Sequence, residues 1–217
     1  MSEEDRETSS VTSSNQPTLP EPHAQDHSAS TFPTPTPSHR LPAPQHASTR
    51  PAKLETTPLP YSEKALEPVM SKETINYHFE HLAKGYAKKY NAGEGNPDFN
   101  RAGSFLHNKF FPQLQAPKGA NRPRGAVLAL IEEHFKTYED FKIAVKEAAM
   151  KIQGSGWVYL STTGEIKTIR NHAVRTDICV LVDWWEHAWS LDYQWDKERY
   201  LDNIWKIINW DVCNERL

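Results

Sequence analysis

Asp183 and His187 stand where a short apolar run gives way to polar chain. The run Ile178 to Val182 is rich in β-branched residues, is bounded by Thr176-Asp177, and reads as a buried strand. A carboxylate at the end of a buried strand is costly unless something neutralises it. If the chain turns into a helix there, Asp183 and His187 face the same point. A first-row metal ion satisfies both, because carboxylate and imidazole are its usual ligands. An Asp183–His187 hydrogen bond with no metal is the alternative, and the segment alone leaves both open.

Two more histidines sit in helical patterns. Ser71 is a suitable N-cap for a helix carrying Ile75, His78, Leu82, Tyr86 and Tyr90 at three-to-four spacing. His78 therefore lies on the inward face, with Tyr86 about two turns further on. His107 falls in a second helical stretch, Ala102 to Phe111, among Phe105, Leu106, Phe110 and Phe111. Residues 91–100 between them read as loop. A lone inward histidine is usually a core residue with a satisfied ring.

The elements that must position these groups follow in order. A turn at Ala65-Leu66-Glu67-Pro68 precedes the first helix, and Gly119 to Arg124 is a basic connector. Helices are expected over Gly125 to Phe135 and after a capping-box pattern at Thr137-Tyr-Glu-Asp140. The period then changes. Strands are expected from Gly154 to Leu160 and from Ile166 to Ile169, with a hairpin turn at Thr163-Gly164-Glu165, before the Asp183 strand. Trp205 to Trp210 reads as a closing helix. A helical first half followed by a three-stranded antiparallel unit is an α+β domain.

Composition divides the chain near residue 57. Residues 1–56 are rich in Pro, Ser and Thr and hold one aromatic, Phe32, so they bury too little to offset ordering entropy and read as a disordered tail. Its histidines, His23, His27, His39 and His46, are scattered and not read as ligands. The expected division is a tail over 1–56, a helical hairpin over 57–118 and an α+β domain over 119–217. A formal charge of −3 gives no reason to expect a nucleic-acid partner. No apolar run is long enough for a membrane span. The two cysteines, Cys179 and Cys213, read as reduced thiols. No signal or transit peptide is readable, which makes the cytoplasm the default location.

With these residues placed, the chain resembles the iron/manganese superoxide dismutases over about residues 58–217. The motifs are Leu59-Pro60-Tyr61, His78 with Tyr86 eight residues later, and His107 with Pro117 ten residues later. Gly154-Ser-Gly-Trp157, Asp183-Trp-Trp-Glu-His187-Ala, Leu191-Asp-Tyr193 and Asn209-Trp210 complete the set. The resemblance implies a helical hairpin followed by an α/β domain with a three-stranded antiparallel sheet. It implies one Fe or Mn ion per subunit held by His78, His107, Asp183, His187 and a solvent molecule. Dismutation of superoxide to O2 and hydrogen peroxide by redox cycling of that ion follows. Tyr86 takes the place of the gate tyrosine, and Trp157 and Trp185 that of the apolar shell. Glu186 matches the residue that reaches the other subunit's His187 across a homodimer. His172 matches the later of two positions for the donor to the bound solvent; the earlier one is Gly103. An exposed hairpin histidine is the alternative for His172.

Some residues depart from the family pattern. Leu82 and Ser190 stand where a histidine and a tyrosine usually pair across the dimer, and His81 is one position off. Phe111 replaces a tryptophan, and a short segment between the ligand helices trims the hairpin that serves tetramer contacts. Lys197 occupies a place where a basic residue often steers superoxide. The ligand set is intact, which favours an active dismutase over a silent structural subunit of a larger assembly. A metal-dependent hydrolase or dioxygenase fits the narrow aromatic shell less well.

Overall fold

The Ser71 hydroxyl accepts the Thr74 N–H at 3.1 Å and so opens the first helix, as an N-cap should. The computed structural model describes residues 52–217. Most of the tail expected over 1–56, with its four histidines, lies outside the described residues. From Ser71 the chain runs through α1 (Lys72–Ile75), a π-helical stretch Asn76–Ala83 and α2 (Lys84–Ala92). The π-helical winding was not visible in the apolar spacing. Its i→i+5 bonding widens the helix around His78 and shifts the side chains beyond it by about one residue. Gly93, with φ +73°, ends α2 in the left-handed region that glycine adopts without strain.

The next helix begins earlier than expected. Residues 91–100 read as loop, yet α3 spans Pro97–Phe110. The Asn96 side chain accepts the Phe99 N–H at 2.9 Å, and Pro97 occupies the first turn, where its missing N–H costs nothing. Two asparagines then tie down an extended segment. Asn91 pairs with the N–H and C=O of Leu54, both at 2.8 Å, and Asn108 with Thr57 N–H and Glu55 C=O. Hydrogen-bonded chain thus starts before residue 57, where composition alone put the boundary, because two side chains supply the partners that composition cannot reveal.

The expected junction near residue 118 falls in a non-helical connector after Gln113. Gln113 is buried, and its amide donates to Leu181 C=O and accepts Leu181 N–H at 3.1 Å, covering the outer edge of a strand. Beyond the connector come α4 (Gly125–Phe135) and α5 (Tyr138–Met150), capped by Thr137, where they were expected. The sheet has order β2-β1-β3, all antiparallel, from β1 (Gly156–Ser161), β2 (Ile166–Arg170) and β3 (Ile178–Asp183). Every residue of β1 and β3 is buried, and Trp157 pairs with Asp183 in register. The α+β architecture with a three-stranded antiparallel sheet is the one the sequence implies.

The C-terminal segment differs in detail. Trp205 to Trp210 is not a helix. A 3-10 turn, Trp205–Ile207, leads into an extended Ile208 that bridges to Leu114. The helices lie on either side, α7 (Lys197–Ile204) capped by Asp196 and α8 (Trp210–Asn214) capped by Asn209, after the short α6 (Ser190–Tyr193). The connector's carbonyl and amide groups explain the break, since Gln113 C=O accepts Asn209 N–H and Gln115 N–H reaches Ile207 C=O, both at 2.7 Å. Among the described residues no helix is long and apolar enough to cross a membrane.

Candidate metal centre

Four ligand-type side chains converge between the helical hairpin and the end of β3. His78 comes from the π-helical stretch and His107 from α3, both facing inward as their spacing predicts. Asp183 is the last residue of β3. His187 does not follow on a helix, as expected, but on a 3-10 turn, Glu186–Ala188, after an extended Trp185. That path still returns the imidazole, because the backbone N–H of Trp185 is bonded to Asp183 Oδ1 at 2.8 Å and folds the chain back over the carboxylate.

The remaining oxygen, Asp183 Oδ2, lies 3.1 Å from His78 Nε2, 3.5 Å from His187 Nε2 and 3.8 Å from His107 Nε2. One ligand atom from each residue lies within 4.8 Å of all the others. All four atoms are buried, yet none has a hydrogen-bond partner among the described residues. Buried polar atoms without partners are rare and costly. Here they point at one common space, so the arrangement fits a cation rather than the alternative Asp183–His187 hydrogen bond.

The protonation states agree with that fit. Burial pushes His78 down to about 4, with His187 adding to the effect and Asp183 opposing it. Burial, then His78, holds His107 well below the usual imidazole range. Burial would raise Asp183, but His187 and His78 beside it more than reverse this and keep the carboxyl well below its ordinary range. Neutral imidazoles and an ionised carboxylate are the forms that coordinate metal. For His107 the ligating nitrogen is fixed as well: Nδ1–H donates to Gly103 C=O at 2.6 Å, which leaves the Nε2 lone pair free.

An aromatic wall surrounds this cluster. Phe111 packs edge-on against His78 at 4.8 Å, and Trp157 edge-on against His107 at 5.1 Å. Trp185 stacks on His187 at 5.5 Å and on His172 at 4.5 Å. His172 is only 9% exposed, so it is no surface hairpin residue. Asn171 before it adopts φ +52°, which asparagine tolerates, and turns the chain inward at the end of β2. Trp157 Nε1–H donates to His172 Nδ1 at 3.1 Å, and His172 Nε2 faces the Tyr86 hydroxyl at 3.0 Å. Indole nitrogen is only a donor, so Nδ1 must accept and the neutral ring carries its proton on Nε2. That N–H faces the Tyr86 oxygen, which leaves the tyrosine O–H free to donate elsewhere. Burial pushes the Tyr86 hydroxyl above its usual range and His172 down to about 4.

Gly103 explains why no longer side chain occupies its position. A Cβ there would lie 2.8 Å from Tyr86 Cγ, so the tyrosine ring rests directly on the α3 backbone. Other departures also find a place. Leu82 and Ser190 are half-buried, whereas His81 is exposed and does not take over the missing histidine's position. Lys197 Nζ lies 5.4 Å above the Trp184 ring. Glu186 is exposed. Phe99 was missed, because residues 91–100 read as loop. Its ring is 4.7 Å from His172 and 5.8 Å from Tyr86. The helix-start pattern Asn96-Pro97-Asp98 was the available signal.

Comparison with known proteins agrees with this geometry. The model of the C-terminal domain of iron/manganese superoxide dismutases matches residues 123–216, and that of their alpha-hairpin domain matches residues 53–104. The chain belongs to the iron/manganese superoxide dismutase family. An iron superoxide dismutase of Pyrobaculum aerophilum is 32% identical over 189 residues, covering 74% of this chain and 90% of the relative. A manganese/iron superoxide dismutase of Aeropyrum pernix is 33% identical over 194 residues, 76% and 91% of the two chains. An iron superoxide dismutase of Bacteroides fragilis is 34% identical over 190 residues, 75% and 98%. The family's hairpin supplies His78 here and its C-terminal domain supplies Asp183 and His187. His107 falls in the short interval between the two matches.

Proposed function

We propose that this chain is a superoxide dismutase that converts two superoxide ions and two protons to O2 and hydrogen peroxide. One iron or manganese ion per subunit is held by His78, His107, Asp183 and His187. The observation that carries this reading is the convergence of four buried ligand atoms that have no hydrogen-bond partner among the described residues, in a chain of this family. An ion of either metal supplies a one-electron couple in that position. The chain's residues do the rest. The neutral imidazoles and single carboxylate hold a cation without neutralising it, which favours an anionic substrate. The aromatic wall of Phe111, Trp157 and Trp185 keeps the space narrow and suits a diatomic substrate.

Peroxide formation needs protons beside the centre. Tyr86 and His172 are the groups that hold one there. Trp157 fixes the His172 tautomer, the Nε2–H orients the Tyr86 oxygen, and the tyrosine O–H is left to donate inward. His172 was expected to hold the bound solvent directly; with both ring nitrogens engaged, it acts here as a positioning residue for Tyr86.

A homodimer is part of the same reading. His187 is 11% exposed while the other three ligands are fully buried, and Glu186 beside it faces outward. Glu186 of a second subunit would reach that imidazole and orient it. The division into a hairpin over 57–118 and an α+β domain over 119–217 belongs to this proposal, and a cytoplasmic location is supported by two buried free thiols.

Metal analysis and dismutation assays on one preparation test the function. One Fe or Mn per chain with activity abolished by His107→Ala is the expected outcome. Fully loaded protein without activity would instead make the chain a silent structural relative, a reading that the replaced gate pair at Leu82 and Ser190 would then support.

A further inference from the structure

Two residues beyond the ligand His107, the Lys109 carbonyl stands in the last turn of α3, where backbone C=O groups run out of partners within the helix. It accepts a bond from Arg216 Nη2 at 2.5 Å. The same guanidinium donates through Nη1 to Cys179 C=O on β3 at 3.0 Å and to Gln113 Oε1 at 2.9 Å. Gln113 in turn holds both backbone groups of Leu181, two residues before Asp183. β3 lies at an edge of the sheet, and Cys179 and Leu181 share its open side. Among the described residues, every hydrogen bond that joins α3 and the turn after it to β3 passes through Gln113 or Arg216.

Arg216 is half-buried and has no ion-pair partner among the described residues. Its three acceptors are neutral carbonyl oxygens, so it acts by geometry: the planar fork holds several oxygens at fixed angles, which a lysine ammonium cannot do. His107 and Asp183 come from the two elements that this bracket joins. Their ligand atoms, Nε2 and Oδ2, stand 3.8 Å apart, the widest of the three histidine separations from that oxygen. The bracket orients neither side chain, since Gly103 C=O and the Trp185 N–H do that. What it fixes is the spacing of the two backbones. We propose that Arg216, through Gln113, is a positioning residue of the metal centre: it sets the separation of α3 from β3, and so how closely His107 and Asp183 fit the ion. The proposal rests on the metal site of the dismutase reading, but not on turnover.

The test uses the full-length protein in metal-free, manganese-loaded and iron-loaded forms. Manganese affinity is measured by competition with a chelator, and the ferric site by the rhombicity of its electron paramagnetic resonance spectrum. Denaturant unfolding of the metal-free protein gives stability. Arg216→Gln, Arg216→Lys and Gln113→Met are compared with the unaltered chain and with Ile131→Ala, a truncation in the buried face of α4, which carries no ligand. Arg216→Gln and Gln113→Met should lower affinity by roughly tenfold, as loss of a group that supports a ligand does, and should shift the ferric spectrum. Arg216→Lys keeps the charge but loses the fork, and should recover less than about half of that loss on a logarithmic scale. Ile131→Ala should lower the unfolding midpoint and move neither affinity nor spectrum. Unaltered affinity and spectrum in folded Arg216→Lys and Gln113→Met would overturn the proposal, and these two variants decide it even where Arg216→Gln does not fold. Equal shifts in Ile131→Ala would overturn it as well. An unaltered protein that takes up neither metal would remove the metal centre and the proposal together. One that shows the expected shifts but does not dismute superoxide would keep the bracket and remove only the dismutase reading.

Discussion

The helical hairpin delivers His78 and His107 from within helical segments, His107 from the last turn of α3, whereas the C-terminal half delivers Asp183 and His187 from a strand end and the turn behind it. The two halves fix their ligands by different means. In the hairpin the backbone winding does it: the π-helical stretch sets the direction of His78, and Gly103 C=O locks the His107 ring. In the C-terminal half local turns do it: Trp185 N–H holds one oxygen of Asp183, and the left-handed Asn171 turns His172 inward. Helix-borne ligands therefore depend on the winding and carbonyl groups of their own helices, and sheet-borne ligands on a few backbone groups of the turns beside them. The two sets meet in two places, at the ligand cluster itself and in the Trp157–His172–Tyr86 chain just outside it.

The largest effect should come from breaking the cluster. His107→Ala should remove the metal and lower dismutation by more than about 100-fold, beyond what losing a ligand's orienting partner costs. Metal content and rate on the same sample check it. Trp157→Phe should weaken the link between the halves while leaving all four ligands. It frees the His172 tautomer, and a rate loss of about tenfold with metal retained is expected. Nitrogen-15 shifts of His172 in the metal-free variant should show Nδ1 gaining protonated character; an unchanged tautomer would separate the two halves' contributions.

Gly103→Ala probes packing within the hairpin alone. Its Cβ would collide with the Tyr86 ring, so a loss of about 1–3 kcal/mol is expected from denaturant unfolding. Asn108→Ala removes the two bonds that hold Glu55 and Thr57, and should cost about 1 kcal/mol with no change in bound metal. Near neutral pH the smallest effect is at Cys179 and Cys213 in the C-terminal half. Burial pushes both thiols up to about 12, with Arg216 opposing the rise at each. Unfolded thiols ionise near 8.5, so the folded chain binds more protons above that pH, and stability should fall as pH rises from about 8.5 toward 12. A thiol reagent at pH 8 should label neither cysteine until the chain is unfolded.

The ligand set was legible because side-chain identity and spacing carry it. Inward-facing His78 and His107 need only helical periodicity, and Asp183 needs only the end of an apolar strand. The way Asp183 and His187 meet was not legible. A spacing of four suggests a helix, and only the Trp185 N–H to Asp183 bond shows that a 3-10 turn achieves the same end. The start of α3 was hidden because Gly93 to Asn96 looks like loop, and this concealed Phe99 at the edge of the site. The break at Ile208 was hidden for another reason: it depends on amide and carbonyl partners from the connector near Gln113, far away in sequence. The ordered segment at Leu54 to Thr57 likewise depends on Asn91 and Asn108. In each case the deciding group is a backbone partner supplied by tertiary structure.

Anomalous diffraction from crystals grown with iron and manganese, at energies that separate the two metals, decides whether these four residues hold the ion. One peak is expected between His78 Nε2, His107 Nε2, His187 Nε2 and Asp183 Oδ2, bonded to all four. A peak bound by a different set of residues, or crystals of the metal-loaded protein with no peak at that point, would contradict it.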